Sequence, residues 1–223
     1  MVSRCLFNVA VAVCLVVSFT GFARLEKDPN AFVARLKYSG GGDWYNDEDC
    51  WVNLIQYANK VLGTNLYPAE SVVEALDSDI YRYAVVFVTG HGGFVLSDEE
   101  AMALRRYVEA GGCIYIDDDY GLDKFAREAI KKIFPERKLE KIPVNSRIFN
   151  AYYKFDYLPK IHNHYPTMEA QILGVRVDGR WGIIYTFNTN LSDGWSDNHN
   201  DPGSVRQKAL KFGVNLLLYL LTD

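Results

Sequence analysis

Residues 84–121 read AVVFVTGHGGFVLSDEEAMALRRYVEAGGCIYIDDDYG. Ala84 to Thr89 is an apolar run ended by Gly90, the pattern of a strand covered on both faces, as in a parallel sheet. Ser97 and Glu100 stand three apart, the spacing of a capping box, before a helical stretch that Gly111 closes. Cys113 to Ile116 is a second strand-forming run. Strand, helix, strand in this span is the grammar of an open α/β sheet with crossover helices.

The same grammar extends both ways. Residues 32–38 (FVARLKY) alternate as a strand and stop at Gly40-Gly41-Gly42. Asp47 to Leu62 carries Trp51, Leu54, Ile55, Ala58, Val61 and Leu62 at helical spacing, with Gly63 as the stop. Leu122 to Phe134 reads as a helix ended by Pro135. Residues 136–168 are loop-rich, with Pro143, Pro159 and Pro166. Residues 171–187 read as a hairpin turned at Asp178-Gly179. Asp201 suits a cap and Pro202 a first helical position for a final helix through about Leu221.

The chain has 223 residues, 49% of them apolar, and a formal net charge of −4. That composition is globular and supports one sizeable core. A mildly acidic chain without a Lys/Arg run offers nucleic acid no electrostatic footing. The N-terminus differs from the rest. Arg4, an apolar stretch from Cys5 to Phe19 and the small residues Gly21 and Ala23 have the layout of a secretory signal, and the stretch is short for a membrane span. Residues 1–23 are therefore expected to be a signal peptide and 24–223 a single α/β domain. The protein is expected to be exported, periplasmic or extracellular, with no membrane span in the mature chain. Loss of residues 1–23 removes Arg4 and moves the charge from −4 to −5. It leaves Cys50 and Cys113, which make no disulfide framework. Cys113 reads as a small buried hydrophobe, with a bridge to Cys50 as the alternative.

Ligands of open α/β sheets sit beyond the carboxyl ends of the strands. Three polar segments fall there: Gly40 to Tyr45, Thr89 to Gly93, and Asp117 to Gly121. Side chains alternate along a strand, so the three aspartates cannot all face one way. One suits the cap of the following helix and another the crevice. Close carboxylates are costly without a cation, a basic side chain or a proton. Further on, LPKIHNH holds His162 and His164, and LSDGWSDNHNDP holds Asp193, Asp197, His199 and Asp201. Imidazoles with carboxylates suit a divalent metal such as Zn, Mn or Fe. The expected metal set is His91, Asp118, His162 and His164, with Asp118, Asp119 and Asp193 as catalytic carboxylates. Gly41, Gly42, Asp43, Trp44, Tyr45, Gly90, Tyr120 and Trp195 are expected to line the ligand pocket, the aromatics by stacking on a sugar ring. The chain has no G-x-S-x-G, no P-loop, no G-x-G-x-x-G and no H-E-x-x-H.

KYSGGGDWY, VTGHGGFVLSDEE, GGCIYIDDDYG, LPKIHNH, and DGW followed by HNDP, in this order, resemble the exported bacterial family known as domain of unknown function 4159. The resemblance covers about residues 32–222. It implies a three-layer α/β domain, flavodoxin-like or similar to class I glutamine amidotransferases and trehalose-utilisation-type proteins, here with a C-terminal β-hairpin and helix. It brings no established activity. Amidotransferases carry a nucleophilic Cys at the strand–turn–helix elbow, whereas here Cys113 stands at the start of the strand and Asp118 or Asp119 takes the elbow. These residues suit two functions. One is a metal-dependent hydrolase acting on glycan or cell-envelope material. The other is a non-catalytic carbohydrate- or partner-binding module of an envelope assembly.

Overall fold

The computed structural model describes Asp28, residues 30–162 and residues 164–223. The expected signal segment, residues 1–23, lies outside the described residues. Seven strands form one mixed sheet. They are β1 (Val33–Leu36), β2 (Glu70–Val73), β3 (Val85–Val88), β4 (Cys113–Asp117), β5 (Glu140–Lys141), β6 (Gln171–Val177) and β7 (Arg180–Phe187), in spatial order β2-β1-β3-β4-β7-β6-β5. β2, β1, β3, β4 and β7 run parallel, and β6 and β5 are antiparallel additions. The helices are α1 (Cys50–Leu62), α2 (Asp98–Glu109), α3 (Asp123–Ile133), the short α4 (Arg147–Asn150) and α5 (Gly203–Thr222). None of the described helices is long and apolar enough to cross a membrane.

The sheet is the middle of three layers. Val86, Val88, Ile114 and Ile116 join the side chains of α2 and α3 in one core. Val85, Phe87, Cys113 and Tyr115, one residue out of phase, join α1, α4 and α5 in the other. Period-two alternation with both faces covered explains why β3 and β4 read as unbroken apolar runs. The capping box is formed: Ser97 accepts from the Glu100 amide and Glu100 returns the bond to the Ser97 amide. The hairpin turns with Asp178 (φ 50) and Gly179 (φ 85) both left-handed, as a two-residue Asp-Gly loop requires. Cys50 and Cys113 are free thiols, both buried.

Three local expectations are corrected. β2 and the two-residue β5 lie where the sequence pattern predicts no strand. α3 takes Leu122 at its cap position with no side-chain bond, so none of the aspartates caps it. Asp201 does not cap α5, whose cap position is Pro202; its carboxylate lies against His162 instead.

The strand order reverses between β1 and β3: β2 lies outward of β1, while β4 and β7 lie on the far side of β3. That is the switch point where an α/β sheet opens a crevice. The loops after β1 and β3 meet there backbone to backbone, tied by Val95 N–H donating to Ser39 O at 2.9 Å. The glycines serve this approach. Gly90 has φ 124, and a Cβ there would lie 2.6 Å from the Tyr38 hydroxyl. Gly90→Ala is expected to cost about 2 kcal/mol or more in urea unfolding, combining left-handed strain with the clash. An unchanged midpoint would show that the loop pair yields freely.

Candidate active site

β4 ends at Asp117, and the alternation of the strand sorts the aspartate triplet. Asp117 continues the phase of Cys113 and Tyr115. It accepts from Thr186 Oγ1 at 2.5 Å, Ser192 N at 2.6 Å and Ser192 Oγ at 2.7 Å. Burial pushes it up to about 6, against the pull of those bonds. It is thereby the tether of the loop after β7. Asp118 falls on the opposite phase, where Oδ2 accepts from Asn188 N at 3.3 Å and Oδ1 is buried without a partner. Burial, with the charges of Asp123, Asp117 and Asp119, pushes it up to about 8. Asp119, past the strand end, is the carboxylate that reaches the imidazoles. The expected metal set named Asp118; the ion-pair contacts of His91 and His164 are with Asp119, because the strand's pleat turns Asp118 to the other side.

All four histidines gather around this point. His91 Nδ1 lies 2.8 Å from Asp43 Oδ2, and Nε2 lies 3.2 Å from Asp119 Oδ2. His164 Nε2 is 3.7 Å from Asp119 Oδ1 and 2.9 Å from Asn190 Nδ2. His162 Nδ1 is 2.8 Å from Asp193 Oδ2, and its Nε2 is 3.1 Å from Asp201 Oδ1. His199 Nε2 is 2.6 Å from Asp47 Oδ1 and 3.9 Å from Asp193 Oδ2. Two groups of three can each bring one ligand atom apiece within 4.8 Å of the others: His162, Asp193 and His199, and Asp119, His164 and Asp193.

Local structure explains how these side chains are held. Thr189 O accepts from the amides of Ile161 and His162. The Asn188 side chain donates to Tyr165 O and Met168 O and accepts from Tyr165 N, fixing the segment that follows His164. Asp49 ties Ser196 and Asp197 to the start of α1. Arg35, fully buried on β1, pairs with Glu70 of β2 at 3.0 Å and donates to the carbonyls of Trp44, Asn46 and Asp47. That single guanidinium shapes the loop presenting Asp43 and Asp47. Asp47, Asn188, Asn190 and Asn200 all have positive φ, between 53° and 56°. Left-handed non-glycine residues gathered around one point are the kind of backbone strain found at functional sites.

The electrostatics are lopsided. Among the described residues, no Lys or Arg side chain forms an ion pair with Asp43, Asp47, Asp119, Asp193 or Asp201. Asp193, 3% exposed, is driven well above the carboxylate range by burial, then by the nearby Asp47 carboxylate and the charge of Asp119. Its Oδ1 and the Oδ1 of the fully buried Asn190 have no partner. Buried polar atoms of native proteins are normally satisfied, so such orphans beside imidazoles point to a missing partner.

His91 and His164 respond oppositely to the same carboxylate. Burial works against the charged form of His91, but the Asp43 hydrogen bond and the charges of Asp119 and Asp43 outweigh it and raise it above 6.5. At His164 burial prevails over Asp119, with His162 and His91 adding repulsion, and lowers it below 6.5. Proton NMR of metal-free protein is expected to give one titration on each side of 6.5. By linkage, the contribution of His91 to stability is fully present below pH 6.5 and lost as pH rises through its folded value. Coincident titrations of the two rings would refute these environments.

The other expected pocket residues divide. Tyr45 and Tyr120 are 59% and 58% exposed, and Tyr120 stacks on Tyr165 with ring centres 6.0 Å apart. Trp44 is partly buried against the core. Trp195 is fully buried among Trp51 and Tyr115, with Nε1 donating to Ala209 O, so it is a core residue and lines no pocket. Gly42 packs its bare Cα against the Gly92 carbonyl, while Gly41 faces open space. Asp197 turns out toward Arg206. Asp47 and Asn190, both central here, were not expected.

The family model described as domain of unknown function (DUF4159) matches residues 32–221, from the start of β1 to the end of α5. The chain belongs to the DUF4159 family. No curated protein matches it. The match spans every element of this DUF4159 domain that supplies a site residue.

Proposed function

We propose that this DUF4159 domain is a divalent-cation-dependent hydrolase, with glycan or other cell-envelope material as the substrate class. One observation carries the reading: His162, His199 and Asp193 can direct ligand atoms at one point while Asp193 Oδ1 stays buried without a partner. Asp201 behind His162 is the carboxylate that orients a ligating imidazole in metal sites. The mixed N/O donor set suits Zn, Mn or Fe. Such a cation lowers the pKa of a bound water. Asp119, linked to Asp193 through the Asn190 amide, would be placed to take that water's proton as its oxygen adds to the substrate's electrophilic centre. His91, biased toward its charged form by Asp43, returns a proton to the leaving oxygen, so that one water is consumed and one bond broken. The exposed Tyr45 and Tyr120 at the mouth offer rings for sugar stacking.

Zinc titration by calorimetry, together with hydrolysis of p-nitrophenyl glycosides and esters, tests the reading. Expected are tight zinc binding, weakened in His199→Gln, and metal-dependent turnover, lost in that variant. Absence of binding to the wild-type protein overturns it. The second reading, a carbohydrate-binding module, is favoured by the Tyr120–Tyr165 stack alone. It predicts metal-independent glycan binding that Tyr120→Ala abolishes.

A further inference from the structure

We infer that the site holds two divalent cations bridged by Asp193, an inference that rests on the metal-dependent reading above and goes beyond its single ion. Asp193 belongs to both groups of candidate ligands, with His162 and His199 completing one and Asp119 and His164 the other. A carboxylate has two oxygens, and those of Asp193 are used unequally. Oδ2 meets His162 Nδ1 and Asn190 Nδ2, whereas Oδ1 is buried and unpartnered. One oxygen for each ion is the arrangement of a bridging carboxylate, with ions about 3.5–4 Å apart in two-metal hydrolases.

The second centre has its own independent mark. Asn190 is fully buried between Asp119, His164 and Asp193, and its single amide nitrogen is crowded by an atom of each at 3.0, 2.9 and 2.5 Å. An amide nitrogen carries two hydrogens, so three acceptors exceed its capacity. A half-turn of the amide would bring the unpartnered Oδ1 to that place, as a fourth oxygen or nitrogen donor for a cation. Each centre also has an imidazole backed by a carboxylate: His162 by Asp201 and, at the edge of the second centre, His91 by Asp43. Two cations would also offset these carboxylates, which among the described residues only histidines pair, more fully than one. With both bound, Asp119 would be a ligand of the second ion in place of its role as base, and a bound water would lose its proton to solvent.

The test is stoichiometry and magnetic coupling in the full chain, stripped of metal and dialysed against Mn(II). Two equivalents of manganese and an exchange-coupled EPR spectrum are expected. Asp119→Asn and, separately, His164→Gln should each reduce this to one equivalent with an uncoupled six-line spectrum. One equivalent with an uncoupled spectrum in the wild type overturns the bridged pair and leaves the single-ion reading standing. No bound manganese, and none of zinc, overturns both.

Discussion

Arg35→Met is expected to destabilise the protein by about 3–5 kcal/mol, because it strands a buried carboxylate. Arg35 and Glu70 are both inaccessible and meet at 3.0 Å, and the guanidinium also lies over the Phe87 ring. Burial lifts Glu70 to about 6 even with Arg35 pulling it down. The folded value exceeds the ordinary 4.5, so the folded state binds more protons between the two. Glu70's contribution is therefore fully present below about 4.5 and lost as pH rises through 6. Without Arg35 the folded value rises further, so the penalty of the variant should be largest near pH 8 and shrink toward pH 5. Urea unfolding at both pH values measures this. Arg35→Met with Glu70→Leu should regain only part of the loss, since the carbonyls of Trp44, Asn46 and Asp47 remain without their donor. A penalty below about 1 kcal/mol at pH 8 would mean that the pair is wetter than its burial indicates.

The second large effect concerns Asp193, where stability and function should separate. The fold holds this carboxyl well above its ordinary range, so its charged form is destabilising in the metal-free protein. Asn is nearly isosteric with the neutral acid, and Asp193→Asn is expected to leave metal-free stability unchanged or raised by about 1 kcal/mol. Zinc affinity should fall at least about 100-fold, because even residues that only orient ligands cost 10–100-fold when removed. Thermal unfolding with and without zinc reads both effects at once: the wild type should gain stability from zinc and the variant should not. A variant that loses stability without metal would make Asp193 a structural network member.

The β3–α2–β4 unit was legible because its signals are local. Apolar runs between Gly90 and Gly111, and a cap three residues from its partner, need no tertiary knowledge. The convergence of acidic, imidazole and glycine-bearing turns at one rim was legible too, since parallel strands put their carboxyl ends on the same side. What escaped depends on distant partners. Arg35 reads as the polar face of an alternating strand, yet β1 is interior and its counter-ion lies 35 residues away on the unread β2. Alternation dictated that the three aspartates diverge, but which one enters the crevice depends on where β4 ends. Trp195 looked like a ligand platform because polar residues surround it in sequence. In space, Gly213 on α5 leaves room for its ring, and a Cβ there would come within 2.9 Å of it. Asn190 carried no motif; its left-handed backbone, set by the turn after β7, is what aims its side chain inward.

Anomalous diffraction at the zinc edge, from crystals of the full chain grown with zinc, tests the central claim most directly. The expected result is a peak bounded by His162, His199 and Asp193, with Asp201 still on the far nitrogen of His162. No peak among these side chains at saturating zinc, with the imidazoles keeping only their carboxylate partners, would contradict it.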